Sequence, residues 1–300
     1  MTATEAIATG GVGAKRPKGA AGTPGKRDES GTARTVRYAL LLVGTIFVFI
    51  PVYVLVITSF KGIGDATADN AWFLPTNWTL ENWQQAFKEL GPSMGRTLSM
   101  VIPSTLASAV LGCLNGFVLS RWRFPGADIV FTLILFGMFL PYQAVIIPLV
   151  NMMIGLSVPS GIPALIVLHI VYGIPITTLI FRNYFESVPH ELMEAAKVDG
   201  AGMLRTFWSV ALPIAIPGFV VVIIWQFTAA WNDFLFAVFF SAPVNGPVTL
   251  ALNNLANGAL LTNYGISMAG ALLASLPTVV VYVILSKYFI AGLMSGSVKG

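Results

Sequence analysis

The sequence predicts an all-α integral membrane protein with six transmembrane helices. Of its 300 residues, 56% are hydrophobic and only 10% are charged, and the mean hydropathy is +0.78. A soluble domain of this length needs much less apolar material to build its core. The apolar residues also fall into separate blocks, each near or above the roughly 20 residues that a helix needs to cross a bilayer.

Six such blocks follow one another along the chain. The third contains Pro141 and Pro148, which remove backbone hydrogen bonds and indicate either a kink or the wall of a water-filled path. The fifth is too long for one straight crossing, so its far end is expected to lie along the outer membrane interface. The predicted spans are residues 38–60, 97–120, 129–150, 162–181, 211–240 and 267–288.

Small side chains recur at every fourth position of the second predicted span. They are Ser104, Ser108, Gly112 and Gly116. Residues four positions apart share one face of a helix, and small residues on a membrane helix allow a neighbouring helix to approach closely. The pattern therefore predicts a tight helix–helix contact along this face.

The positions of Lys and Arg predict the orientation in the membrane. With a cytoplasmic N-terminus, the outer segments hold only Lys61, Lys88 and Arg96 of the 17 basic residues. Positive residues concentrate on the cytoplasmic side of membrane proteins, so both termini are expected there. The net charge of +4 then reflects membrane topology and not nucleic-acid binding. The basic residues on the predicted inner side are Lys15, Arg16, Lys18, Lys26, Arg27, Arg34, Arg37, Arg121, Arg123, Arg182, Lys197, Arg205, Lys287 and Lys299.

Residues 1–36 are expected to form a disordered cytoplasmic tail, because they contain almost no large apolar side chains. Residues 37–300 are expected to form the transmembrane domain. Within the tail, residues 22–27 (GTPGKR) resemble a nucleotide-binding loop but lack its full spacing and the Ser or Thr that binds magnesium. The sequence therefore predicts no ATPase site in this chain.

Other chemical signals are sparse, and none of them forms a catalytic constellation, so the sequence does not predict an enzyme. The single cysteine, Cys113, supports neither a disulfide nor a metal site. His169 lies within the fourth span, where it serves either as a neutral histidine bonded between helices or in a functional role. Among acidic residues only Asp233 lies clearly inside an apolar block, and this scarcity disfavours an ion-coupled carrier. An ion-coupled secondary carrier, although disfavoured, and a membrane scaffold remain open as alternative functions of the chain.

The polar segment between the fourth and fifth spans predicts two short helices joined by a tight turn. Ser187 is expected to cap the first helix, with Pro189 in its first turn. Gly200 is expected to supply a turn with positive φ, and a second helix is expected from about Gly202. The first helix should carry Leu192, Ala195 and Ala196 along one side. The alternative is an amphipathic segment that lies on the lipid surface.

The spacing in this segment resembles the EAA loop of ABC importer permeases. Glu194-Ala195-Ala196 is followed after three residues by Gly200 and, nine residues later, by Val210-x-Leu212-Pro213, where the family usually has Ile at the Val210 position. Residues 181–189, 231–235 and 292–300 resemble the carbohydrate-uptake branch, in particular the maltose-type second permease subunit. The resemblance covers residues 38–300. We refer below to residues 183–210 as the EAA loop.

The resemblance implies the type I ABC importer permease fold and a multi-pass subunit of the cell membrane that forms half of a sugar channel. It implies four partners besides membrane lipid: a second permease subunit, two cytoplasmic ATPase subunits and an extracytoplasmic sugar-binding protein. ATP would be bound by the partner subunits, and the chain itself would need no cofactor and no metal. The residues implied in coupling to the ATPase are Glu194, Ala195, Ala196, Asp199 and Gly200.

Four residues are candidates for the substrate path, because a sugar site needs a few polar groups and aromatic faces in a mostly apolar cavity. They are Tyr142, Gln143, Asn232 and Asp233. Asp233 lies far along the fifth span and is expected near the outer interface. There it either caps a helix end or contacts the sugar or the binding protein.

Overall fold

The computed structural model describes residues 31–122, 124–259 and 263–296, and these ranges are almost entirely helical. The helices are α1 (Gly31–Ser59), α2 (Glu81–Arg121), α3 (Ala127–Phe136), α4 (Tyr142–Gly155), α5 (Ile162–Ser187), α6 (His190–Val198), α7 (Met203–Thr206), α8 (Leu212–Ile214), α9 (Ile216–Trp231), α10 (Leu235–Phe240), α11 (Val248–Ala259) and α12 (Tyr264–Gly296). A π-helical turn, Phe207–Ala211, joins α7 to α8.

Four of the described helices are long and apolar enough to cross a bilayer: α1, α2, α5 and α12. A fifth crossing is possible if Met203–Ile214 and Ile216–Trp231, which meet at a bend of 72°, form one span. The third predicted span is instead divided into the two shorter apolar helices α3 and α4. The all-helical membrane class is confirmed, whereas the third crossing is not a single helix.

The third and fifth apolar blocks are both interrupted. Helix α3 ends at Phe136, and α4 begins at Tyr142, directly after Pro141 in extended geometry. Pro148, by contrast, lies inside α4 without ending it. In the fifth block, α9 ends at Trp231 and α10 begins at Leu235, so this block is not one straight helix, as expected from its length.

Helix α1 begins at Gly31, so residues 31–36, expected in the tail, are helical. Residues 22–27, which resemble a nucleotide-binding loop, lie outside the described part of the chain. Contacts divide the chain after Ile50. Up to that point α1 is a helix whose large apolar side chains, such as Leu40 and Phe47, are exposed. Exposed apolar surface of this extent suits a helix that faces lipid.

Helix α2 is much longer than its apolar block. Its 41 residues span about 61 Å, twice the thickness of the hydrocarbon core. The additional turns lie before residue 97 and carry charged side chains, among them Arg96. Arg96 donates from Nε to the carbonyl of Gly246 at 3.1 Å and from Nη2 to Ser93 Oγ at 2.6 Å. This end of α2, the Glu81 end, is therefore tied to the segment before α11.

A buried amide group joins three helix ends near Glu81. Asn82 donates from Nδ2 to the carbonyls of Ser59 and Lys61 at 3.1 and 2.6 Å, and its Oδ1 accepts from Asn263 at 2.9 Å. The end of α1 and the starts of α2 and α12 thus share one hydrogen-bonded node. Because buried polar groups are costly when unpaired, a substitution that removes this amide would leave several groups unsatisfied.

The small residues of α2 face α5, as their spacing predicts. Ser108 and Gly112 are buried, and Thr177 of α5 donates from its hydroxyl to the carbonyl of Ser108 at 3.0 Å. A Cβ atom added to Gly116 would lie 2.7 Å from the backbone nitrogen of Arg182. The two backbones are therefore in direct contact along this face, and the expected tight packing is confirmed.

Gly116→Ala is expected to destabilise the protein, because the added methyl group meets α5 backbone that has no room to retreat. Overpacking of this kind costs about 1–3 kcal/mol. The loss is measured as a lower midpoint of thermal aggregation of the detergent-solubilised protein. Gly95→Ala, also within α2 but with nothing within 4 Å of the new Cβ, is the matched control and should retain the wild-type midpoint. Equal midpoints for both variants would contradict the close contact.

Candidate functional site

The EAA loop forms two short helices separated by a turn at Gly200. After α5 ends at Ser187, α6 begins directly behind Pro189, whose φ of −55° suits a helix start. Gly200 has a φ of 74°, so the expected positive-φ turn is confirmed. Helix α7 begins at Met203, close to the expected start near Gly202, and continues into the π-helical turn.

The expected cap of the first loop helix is wrong. Ser187 is the last residue of α5, and its hydroxyl donates back to the carbonyl of Tyr184 at 2.7 Å. No side chain caps α6. The physical reason is Pro189, which biases Val188 to extended geometry (ψ 134°) and so ends α5 immediately after Ser187.

The two faces of α6 differ from those expected. Met193 and Ala196 are buried, whereas Leu192 and Ala195 are exposed. Ala195 and Ala196 therefore lie on different faces, because successive residues of a helix are rotated by about 100°. Of the five predicted coupling residues, Ala196 packs inward, and the other four are exposed: Glu194, Ala195, Asp199 and Gly200.

Arg121, at the last position of α2, ties the base of the EAA loop to the helix bundle. Its Nη2 donates to the carbonyl of Phe185 and, at 2.6 Å, to that of Val188. Its Nη1 lies 2.8 Å from Nδ1 of His190, the first residue of α6. One guanidinium group therefore connects the ends of α2 and α5 with the start of α6, as suits its planar set of five donors.

Nothing in the sequence indicates this role for Arg121. In the sequence it is one positive charge next to the second apolar block. The residue types around it carry no motif, and its partners are mostly backbone carbonyl groups, which exist at every position of any chain. Only the fold identifies which carbonyl groups the guanidinium reaches.

Apolar side chains fill the space behind the EAA loop. Phe117 of α2 contacts Phe185 of α5 and Phe207 of the π-helical turn, with ring centroids 5.5 and 5.3 Å apart. All three rings are buried in one cluster that also includes Met193 of α6. The loop is therefore packed on the bundle as a well-supported projection.

Two of the four predicted substrate-path residues line one cavity within the bundle. Tyr142 and Asp233 border a space of about 370 Å³ between the break after α3 and helices α5, α9 and α10. Gln143 and Asn232 are exposed and do not line it, and the amide of Asn232 donates to the carbonyl of Thr228 at 2.9 Å. Tyr142 therefore points in a different direction from its neighbour Gln143, and Asp233 points in a different direction from its neighbour Asn232.

Asp233 lies at the break between α9 and α10. Its Oδ1 accepts from the backbone nitrogen of Phe236 at 3.4 Å, in the first turn of α10, as expected of a helix-end cap. Its carbonyl accepts from the hydroxyl of Thr249 at 2.7 Å. The backbone of this short break is therefore held in place from two sides.

His169 of α5 faces Asp233 across a short gap. Its Nε2 lies 3.7 Å from Asp233 Oδ2, which is too long for a hydrogen bond. Within the described part of the chain neither atom has a hydrogen-bond partner, although both are buried. The expectation of a histidine hydrogen-bonded between helices thus fails at Nε2. The sequence did not predict that these two residues, 64 positions apart, would meet.

Among the described residues no group of three or more His, Cys, Asp or Glu side chains is placed to hold a metal ion. The two surfaces of interest are therefore the EAA loop and the cavity beside Asp233. The first is an exposed projection at the Arg121 end of α2. The second lies between helices in the apolar part of the bundle.

Comparison with known proteins identifies relatives that align with between about half and most of this chain. A segment of 169 residues is 47% identical to a probable ABC transporter permease protein of Pyrococcus horikoshii, covering 56% of this chain and 61% of the relative. The xylose/arabinose import permease protein XacI of Haloferax volcanii is 34% identical over 284 residues, covering 87% of this chain and 92% of the relative. A bacterial ABC transporter involved in the import of the acidic polysaccharide alginate shares the fold, with a TM-score of 0.74, at 22% identity over 87% of this chain and 99% of that chain.

The family model described as "binding-protein-dependent transport system inner membrane component" matches residues 108–294, which include the EAA loop and the cavity-lining segments. This match covers more than half of the sequence. The chain therefore belongs to the binding-protein-dependent transport system inner membrane components, the multi-pass permease subunits of ABC importers.

Proposed function

We propose that the chain forms half of the translocation path of an ATP-driven sugar importer and that its EAA loop is the docking element for a partner ATPase. The observation that carries this proposal is the geometry of α6. The helix presents Glu194 and Ala195 on a free face, ends in the Gly200 turn and is fastened to the bundle at its base by Arg121. An exposed, well-supported helix of this kind suits a contact through which one subunit moves another.

The sugar as cargo is supported by the relative of Haloferax volcanii, which is named as a xylose/arabinose import permease and aligns with 87% of this chain. The lining of the cavity beside Asp233 also agrees with a sugar as cargo, since aromatic rings and a few polar groups suit a polyhydroxylated molecule. No particular observation favours a secondary carrier or a scaffold.

The partners proposed are those of the family: a second permease subunit, two ATPase subunits, which bind the ATP, and an external sugar-binding protein. The orientation proposed follows the basic residues, with both termini and the EAA loop in the cytoplasm and the Glu81 end of α2 outside. Membrane lipid covers the exposed apolar side chains of α1.

A movement of the docked EAA loop is expected to displace the membrane helices by a similar amount. Arg121 binds α2, α5 and α6 together, and the cluster around Phe117, Phe185 and Phe207 fills the space between them. Well-packed interiors do not deform continuously, so a displacement of α6 moves the attached helices as a body. The proposed coupling therefore depends on the turn at Gly200 and on the contacts of Arg121.

Gly200→Val is expected to lower ATP-dependent sugar uptake at least about tenfold, because a β-branched residue is strained at a φ of 74° and the turn after α6 changes. Uptake is measured in vesicles that contain the complete importer, with immunoblotting to verify membrane insertion. Gly200→Asn should retain most of the uptake, since Asn tolerates the left-handed region.

Gly202→Val is the matched control for the Gly200 variant. Gly202 lies in the same loop, has a negative φ of −68° and, like Gly200, has nothing within 4 Å of an added Cβ. We expect this variant to transport at the wild-type rate. Equal uptake by the Gly200→Val and Gly202→Val importers would show that the geometry of the turn at Gly200 is not needed for coupling to the ATPase.

Arg121→Ala is expected to uncouple the importer, because the start of α6 loses its link to the ends of α2 and α5. The ATPase of the reconstituted complex should then respond at least about tenfold less to the loaded binding protein, and uptake should fall with it. Arg121→Lys should restore only part of the response, since an ammonium group cannot span the same acceptors.

Arg34→Ala serves as the control, because Arg34 is an exposed arginine of α1, outside the EAA loop. Its importer should respond to the loaded binding protein as the wild type does. A normal response in the Arg121→Ala importer would show that the guanidinium contacts are not needed for coupling.

A further inference from the structure

Large apolar side chains are exposed on the segment that joins α1 to α2. This segment, residues 62–80, lies at the Glu81 end of α2, and we call it the α1–α2 loop. Single apolar side chains on a protein surface are ordinary, but a group of them on one short loop indicates a contact surface. Six such side chains are between 59% and 65% exposed: Ile63, Trp72, Phe73, Leu74, Trp78 and Leu80.

Two charged groups of the same region are turned inward. Lys61, directly before the loop, is completely buried, and its ammonium group donates to the carbonyl of Asn70. The carboxylate of Asp65 accepts from the backbone nitrogen of Thr76 at 2.8 Å and from its hydroxyl group at 3.2 Å. Burying charge while exposing apolar side chains is the reverse of what a loop in water favours.

Backbone contacts between its two ends hold the α1–α2 loop in one shape. Lys61 and Trp78 form an antiparallel bridge, and the backbone nitrogen of Thr79 donates to the carbonyl of Phe60 at 2.9 Å. The rings of Phe60 and Trp78 lie 5.8 Å apart. The exposed apolar surface is therefore presented by a fixed loop.

The loop folds back along α1 and does not project beyond its end. The hydroxyl group of Tyr53 donates to the carbonyl of Trp72 at 3.3 Å. Tyr53 precedes Ser59, the last residue of α1, by six positions, or about 9 Å of helix. Amphipathic elements at a membrane surface bury their apolar face by about 5–10 Å, so Trp72 lies at a depth that suits such a contact.

The apolar surface of the loop continues an exposed apolar surface of α1. Val52, Tyr53 and Val56 of α1 are 46%, 43% and 37% exposed. Because membrane lipid covers the exposed side chains of α1, lipid also reaches the loop that lies against Tyr53. Tryptophan is enriched where the apolar membrane interior meets the headgroups, and the loop contains no Lys or Arg that would have to be kept in water.

We propose that the α1–α2 loop lies in the interfacial layer of the bilayer, with Trp72, Phe73 and Trp78 inserted between the lipid headgroups. The loop thereby fixes the depth of the end of α1. Asn82 joins this end to the starts of α2 and α12, so the anchor sets the position of three helices along the membrane normal.

The test uses the complete importer in phosphatidylcholine liposomes, with Cys113→Ala to remove the native thiol. A nitroxide spin label is attached to Phe73→Cys, and its collision rates are measured with oxygen, which concentrates in lipid, and with a neutral nickel chelate, which stays in water. The oxygen-to-nickel ratio at residue 73 should exceed that at Asp69→Cys by at least about threefold. Asp69 is the matched control, because it is an exposed residue of the same loop. Val52→Cys gives the ratio of a lipid-facing position.

Equal ratios at residues 73 and 69 would place the loop in water and overturn the proposal. Low collision rates with both reagents at residue 73 would show that another subunit covers the loop, which would also overturn it. Addition of the loaded binding protein should leave the rates at residue 73 unchanged. A loss of both rates on this addition would assign the surface to the binding protein and not to lipid. If the Phe73→Cys chain is not inserted, Leu74→Cys, at a position 61% exposed, provides the same comparison.

Discussion

Every backbone polar group inside a bilayer has to find its partner within the protein, and this constraint explains where the membrane helices are continuous and where they break. Helices α2 and α5 are uninterrupted and form the central pair. The breaks after α3 and after α9 occur where the chain borders a cavity within the protein. Irregular backbone at these places is supported by other protein groups, as the contact of Asp233 with Phe236 shows.

The close contact between α2 and α5 also connects the two candidate sites. His169 lies in the cavity and Ser187 at the end of α5, and the 18 residues between them span about 27 Å of continuous helix. Small residues on α2 let the two backbones touch along this length, and Arg121 joins the same two helices at the EAA loop. A movement at the loop is therefore carried toward the cavity by a pair of helices that cannot slide apart without losing direct backbone contacts.

The sequence predicted the class of the protein, the approximate spans and the turn at Gly200, because composition, block length and the special geometry of glycine are local properties. It did not predict which of two adjacent residues faces the cavity. Each candidate pair consists of two adjacent polar residues, Tyr142 with Gln143 and Asn232 with Asp233. Which residue of a pair lines the cavity depends on how the helices packed against that segment orient it. For the same reason the proximity of His169 and Asp233, the buried position of Ala196 and the contacts of Arg121 emerge only from the folded chain. The sequence places Ser187 at the start of α6 and not at the end of α5, because the apolar block ends at residue 181 and the helix continues to Ser187.

The use of Asp233 bears on the source of free energy for transport. It is the one acidic residue clearly inside an apolar block, and a carrier coupled to protons or cations would need such a group to bind and release the ion. Here one carboxylate oxygen accepts a hydrogen bond from the start of α10, and the other is buried 3.7 Å from His169 Nε2. A carboxylate held by the backbone in this way is suited to a stationary role at the break between α9 and α10. The driving force then has to enter elsewhere, and the exposed face of α6, fastened to both central helices, is the element of the described chain built to receive it.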